Sequence, residues 1–291
     1  MSLLGAGLLL AACGGGSDGT GATQAVDGTI AGLVAKGPVA DATVTAFAVT
    51  AGAKGAQLGT ARTDAQGRFT MSVADYSGPV LVEMHGGAYT DEATSATMPM
   101  ADADVMTSMV PSFAAGSSEM IVVTPLTSMA QAMAGAMAGG MTDANITASN
   151  AAVGSYFSVG DILHAVPMDP LVQGSGAGAT QDMKNHGMSL AAMSRYAEAI
   201  GMATTSSGIV TAMRDDASDG VMNGMMGAAP ISMGGMGGMM GGGMMPATSG
   251  TSDLARAMAE FVASGMNRSG VTLSEMQPLI DKLAASSGAI E

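Results

Sequence analysis

The sequence predicts a multidomain protein, β then α: an N-terminal antiparallel β-sandwich over residues 26–124 and a C-terminal all-helical domain over residues 125–291. Three observations carry this expectation. Period-two alternation of apolar and polar residues begins at Val26, and helical spacing replaces it at Thr124-Pro125. Ahead of both lies an apolar run closed by the single cysteine, Cys13, and followed by chain rich in Gly, Ser and Thr. A length of 291 residues suits two domains, each with enough chain to bury a core.

Composition narrows the class of partner. There are 24 Asp and Glu against 10 Lys and Arg, a net charge of -14, which repels phosphate backbones and anionic headgroups. Nucleic-acid binding is therefore not expected. Only 12% of residues are charged and 3% aromatic, so the cores must be built from small aliphatic side chains and methionine.

Residues 1–12 read as a signal peptide. Leu3 to Leu10 is an apolar h-region too short to span a bilayer, and Ala11 and Ala12 supply the small residues a signal peptidase needs. Leu10-Ala11-Ala12-Cys13 resembles the lipobox of bacterial lipoproteins, which implies lipidation of Cys13, including a palmitate-type chain, and cleavage before it. Three acyl chains anchor stably where one does not. Residues 13–25 have no apolar periodicity and read as a flexible tether, about 20 Å in reach. Gly14 after the cysteine, where aspartate is absent, resembles the lipoproteins sorted to the outer membrane.

From Val26 the chain reads as short strands with turn punctuation. Val44, Ala46 and Ala48 alternate with Thr43, Thr45, Phe47 and Val49, as in a strand covered on both faces. Asp64-Ala65-Gln66-Gly67 reads as a tight turn, with Gly67 in the left-handed position, closing a hairpin between Thr63-Asp64 and Gly67-Arg68-Phe69. The segments "KGPVADATVTAFAV", "GTARTDAQGRFTMSV" and "GPVLVEMHGGAYTDEAT" resemble the carboxypeptidase regulatory-like, or transthyretin-like, β-sandwich modules of bacterial envelope lipoproteins. The resemblance covers about residues 26–97 and implies an accessory module that stabilises, spaces or binds, with no catalytic residues to carry over. "DVMTSMVPSF" and "SEMIVVTP" still look extended and should complete or flank the sandwich.

At Thr124-Pro125 threonine can cap and proline suits the first helical position, so "LTSMAQAMAGAM" should be a helix that stops at Gly139-Gly140. Further helices are expected over Thr142–Phe157, Gln181–Ile200, Ile209–Ala217, Ser252–Gly265 and Thr272–Ser286, the last opened by a capping box of Thr272 and Glu275.

The motifs that carry chemistry are mostly missing. The G-x-S-x-G at Gly15 to Gly19 lies in the tether, without the strand and helix a nucleophile elbow needs. No H-E-x-x-H, C-x-x-C or phosphate-cradling loop occurs, and His85, His164 and His186 fall in different elements. Asp215, Asp219 and Gly220 match three positions of a calcium loop, but Ala217 and Met226 stand where carboxylates are needed. This stretch, like Asp102 and Asp104, is read as solvated acidic chain.

Methionine is the anomaly, with 30 residues against sixteen leucines. Met129, Met133, Met137 and Met141 recur every four residues and should form one core stripe on a helix. Within a Gly/Met-rich loop over residues 223–251, Met233, Met236, Met239, Met240, Met244 and Met245 form a second concentration. Thioethers are soft and neutral and suit copper(I) in an oxidising envelope. The favoured reading of that loop is nonetheless disordered low-complexity chain, because the methionine excess runs through the whole sequence.

The function expected is that of a non-catalytic, lipid-anchored envelope protein at the outer membrane, a structural, spacing or binding module. Its partners would be the membrane, through the anchor, and an envelope protein or carbohydrate. The alternatives are a copper(I)-binding protein and, more distantly, a hydrolase with an unrecognised site.

Overall fold

In a computed structural model the chain is described over residues 26–202, 206–233 and 243–291. Strands occupy the first half: β1 (Gly28–Val34), β2 (Val39–Ala40), β3 (Thr43–Thr50), β4 (Ala53–Arg62), β5 (Arg68–Val73), β6 (Gly78–His85), β7 (Ala88–Thr90), β8 (Thr97–Pro99), β9 (Met106–Phe113) and β10 (Ser118–Val123). Helices follow: α1 (Pro125–Ala136), α2 (Asp143–Tyr156), α3 (Gln181–Ala199) and α4 (Gly208–Ala217), then after a short hairpin of β11 (Met225–Met226) and β12 (Ala229–Pro230), α5 (Ser252–Val262) and α6 (Leu273–Ala285).

The strands form three small sheets, ordered β10-β1-β5, β4-β3-β6-β9 and β2-β7-β8. Alternation assigns the faces of the four-stranded sheet. Val80, Val82 and Met84 of β6 join Ile30 of β1 and Phe69 and Met71 of β5 in the main core. Leu81, between them, joins Val49, Met109, Ala134, Met141 and Ile146 in a smaller core under α1 and α2. The sheet's central strand β6 is thus covered on both faces, which is why Val80, Leu81 and Val82 are buried in succession. The main core does not stop at the sheets. It continues through Met188, Leu190 and Met193 of α3, Val210 and Met213 of α4, and Leu254, Met258 and Phe261 of α5.

Most helix starts follow their caps. The Thr124 side chain accepts from the Thr127 N–H, Thr127 reaches back to the Thr124 N–H, and Pro125 opens α1. Thr142 and Thr180 cap α2 and α3 in the same way, and the Thr272/Glu275 capping box opens α6 as the spacing predicts. The Thr127 and Ser128 hydroxyls then dock α1 onto β9, Thr127 Oγ1 donating to the Thr107 carbonyl at 2.6 Å and Ser128 Oγ accepting from the Thr107 N–H at 2.9 Å.

Several expectations need correction. The turn at Asp64–Gly67 forms, with the Asp64 carboxylate accepting from the Gln66 and Arg68 N–H groups and Gly67 at φ +76°. The strands it joins, however, enter different sheets: β5 pairs with β1, and β4 with β3. Nor is the pairing wholly antiparallel, since β10 returns alongside β1 in parallel register, Thr29 opposite Ser118 through Val34 opposite Val123. A parallel neighbour needs a long crossover, which the intervening strands supply.

The methionine stripe is broken as well. α1 ends at Ala136 because Met137 turns extended and caps it, leaving Met137 on the surface, while Met129 is fully buried and Met141 tucks into the smaller core. The segment 223–251 is not slack over its described parts, nor is the second half wholly helical. Ser232 bridges Met244, the Met245 N–H donates to the Ile231 carbonyl, and Ile231, Met233 and Met245 are buried.

Candidate functional site

Lys36 and Gly37 are the two central residues of the turn between β1 and β2, closed by the bridge between Ala35 and Pro38. Gly37 has φ +62°, and a Cβ there would lie 2.2 Å from the Thr90 carbonyl oxygen, so only glycine lets this turn press against the end of β7. The contact brings Lys36 beside Asp91 and Glu92, which follow Thr90 directly. All three side chains are buried, Lys36 completely.

The helical half completes the cluster. Lys36 Nζ donates to Ser194 Oγ on α3 at 2.7 Å, and Ser194 Oγ donates to Glu92 Oε2 at 2.6 Å. Nζ lies 3.6 Å from Asp91 Oδ2 and 3.9 Å from Glu92 Oε2, with the Tyr89 ring centroid 4.5 Å beneath it. Asp91 is held on both oxygens. Its Oδ1 accepts from the Ala93 N–H (3.1 Å), the Thr94 N–H (3.1 Å) and Thr94 Oγ1 (3.0 Å), and its Oδ2 accepts from Ser206 Oγ (2.9 Å). Tyr89 hydroxyl in turn donates to Ser206.

One amine therefore faces two carboxyl groups in a buried site. Burial pushes the Glu92 carboxyl above its usual range, against the pull of Lys36 and Ser194. Burial likewise raises the Tyr89 hydroxyl, with Lys36 opposing it. A cavity of about 60 Å³ abuts the cluster, lined by Leu33, Ala35, Pro38, Glu92, Met168 and Leu190.

Two further buried titratable groups stand apart. Asp216, at the end of α4, is fully buried; its Oδ1 gathers the N–H groups of Asn223 (2.9 Å), Gly224 (2.7 Å) and Met225 (3.3 Å), while Oδ2 has no partner. Burial raises it to about 6. The solvated reading of this acidic stretch is thus wrong for Asp216, and for Asp104 too, which is buried and accepts from Ser207 (2.5 Å) and Thr211 (2.7 Å). His186 is fully buried between α3 and α1. Its Nδ1 donates to the Ala165 carbonyl at 2.8 Å, so Nε2 is the acceptor for the Thr124 hydroxyl at 3.1 Å, and burial lowers it to about 4.

The residues singled out from sequence do not converge here. Cys13, Met236, Met239 and Met240 lie outside the described residues. Met233 and Met245 are core side chains, whereas Met244 is exposed. His85 and His164 sit at the surface beside Glu83 and Asp161 respectively, far in sequence from His186 and in other elements. Among the described residues no group of three His, Cys, Asp or Glu is placed to hold a metal ion, and no helix is long and apolar enough to cross a membrane.

Sequence reasoning missed the Lys36 cluster. One local signal was present: Lys36 is the lone charge in the apolar run from Gly28 to Ala40. Compared with protein-family models, with curated proteins and with solved structures, the chain matches none.

Proposed function

We propose that this chain is a non-catalytic, lipid-anchored module of the bacterial cell envelope, attached at the outer membrane through Cys13 and serving to space or hold a partner, an envelope protein in preference to a carbohydrate. On this reading residues 26–124 are a β-sandwich of the carboxypeptidase regulatory-like kind. The observation that carries the non-catalytic part is the placement of the chemistry-bearing side chains. Lys36, Asp91, His186 and Asp216 are buried and bonded to protein groups, and Glu92, which borders only the cavity of about 60 Å³, is buried and bonded to Ser194. The lipobox carries the anchoring part.

An outward face suits a binding role. A groove of about 530 Å³ lies along β10-β1-β5, lined by Ala31, Leu33 and Thr70 with exposed Met120 and Val166, and bordered by Arg68 and His164. It has no tryptophan and only Phe69 as an aromatic, which gives a sugar ring little to stack on. Copper(I) draws less support, because Met233 and Met245 serve the core.

Expression from the natural start, with labelled palmitate, tests the anchor. Wild type should take up label and sediment with membranes, and Cys13→Ala should do neither. A wild type without label, or an alanine variant that still sediments with membranes, overturns the reading.

A further inference from the structure

We propose that Lys36 and Asp91 join covalently, their side chains condensing to an intramolecular amide inside the folded protein, with Glu92 as the proton carrier. The juxtaposition that suggests it is a fully buried amine 3.6 Å from a carboxylate whose two oxygens are held in different ways. That distance is from Nζ to Oδ2, the oxygen that would leave, and both partners are fixed by the fold, the arrangement that lets a step within one molecule replace an encounter.

Each step has a group in place for it. Lys36 Nζ first gives up one of its three hydrogens through Ser194 to Glu92, and the freed lone pair then attacks Asp91 Cγ, forming the N–C bond and pushing the carbonyl electrons onto Oδ1. The Ala93 and Thr94 N–H groups and the Thr94 hydroxyl already point at Oδ1 and hold the negative charge as it develops, as an oxyanion hole does. Collapse of that intermediate breaks Cγ–Oδ2, and Oδ2 leaves as water, helped by the hydrogen bond from Ser206. The ammonium group enters with three hydrogens and the amide nitrogen keeps one. The other two leave with Oδ2, so atoms and charge balance and no oxidant or co-reactant is needed.

A path for those protons exists. Nζ donates to Ser194 Oγ, which donates to Glu92 Oε2, a two-bond relay from the amine to a carboxyl that also flanks the reacting centre. The raised position of the Glu92 carboxyl suits a group that must both accept and return a proton. The cavity beside Glu92 is large enough to take up the released water, which needs only about 10–15 Å³ of such space. The driving force is the replacement of a desolvated ion pair by a neutral amide. Asp91 is preferred to Glu92 as the acyl partner because it is nearer and carries the three-donor cradle.

Mass spectrometry of a proteolytic digest of the full chain, purified under native conditions and then denatured, decides the matter. Wild type should yield a branched peptide joining the Lys36 and Asp91 segments, lighter than the two linear peptides together by one water. Asp91→Ala should lack it, and Glu92→Gln should form it at least about tenfold more slowly. Linear peptides alone from wild type, a branch at Glu92, or undiminished branching in Glu92→Gln would each overturn the proposal. The wild-type digest decides even if a variant fails to fold.

Discussion

Lys36 with its two acids and Asp216 with its three N–H donors are two solutions to burying a carboxyl group. In the first, a full positive charge, an aromatic ring and two serines surround the acids, and the parts come from β1, β7, α3 and the approach to α4. In the second, a single oxygen is served by three consecutive backbone N–H groups from one local turn, and the other oxygen has no partner. The lesson is that a long-range ionic cluster ties halves of a molecule together, whereas a local backbone cradle shapes one turn and leaves the acid free to take up a proton near neutrality.

The largest effect expected from breaking this comparison is at Lys36. Lys36→Met keeps length and apolar volume but leaves both buried carboxyls without the amine, whether as ion-pair partner or as amide donor, and should cost about 3–5 kcal/mol in chemical denaturation. A loss below about 1 kcal/mol would show that the cation does not hold the halves together.

Asp216→Ala should come next, at about 2–3 kcal/mol, because the buried Gly224 N–H and the half-buried Asn223 N–H lose their acceptor and Met225 keeps only Asn223 Oδ1. The damage should be local. Hydrogen exchange should rise at Asn223, Gly224 and Met225 and stay unchanged in β1; an equal rise in β1 would contradict the local role.

The smallest and sharpest test is pH. Asp216 is raised in the fold from 3.8 to about 6, so its contribution to stability is full below about 4 and is lost as pH rises through about 6. His186 is lowered from 6.5 to about 4, so its contribution is present above 6.5 and is lost as pH falls toward 4. Glu92, raised by burial, adds to the Asp216 side. Asp216 and Glu92 therefore oppose His186 between pH 4 and 6.5, and the wild-type slope is the difference between them. Relative to wild type, Asp216→Asn should lose on the order of 2 kcal/mol on acidification across that window, where His186→Asn should gain. Parallel profiles for all three proteins would refute the assignment.

How much was legible follows from the same contrast. The helices could be read because their signals are local: Thr124-Pro125, Thr142, Thr180 and the Thr272/Glu275 pair each cap the turn they begin. The order of strands before helices was legible for the same reason. Sheet membership was not, since the Asp64–Gly67 turn has the same sequence whether β4 and β5 share a sheet or part into two. The Lys36 cluster draws on positions 36, 91, 92, 194 and 206, and no periodicity links residues so far apart. Asp216 was misread because "RDDASDG" has the composition of an exposed helix end, and only the fold reveals that the chain after it curls back over the carboxylate.

The position of β1 has a mechanical consequence. It is the first strand among the described residues and lies in the middle of its sheet, six paired positions along β10 and six along β5. Tension entering from the chain ahead of Gly28 acts along the strand axis, so the rungs on both sides are sheared together and cannot be peeled one by one. Beyond the last rung comes Lys36, and a covalent link there to Asp91 would arrest extension once those rungs had slipped, as a stop knot does at the end of a rope.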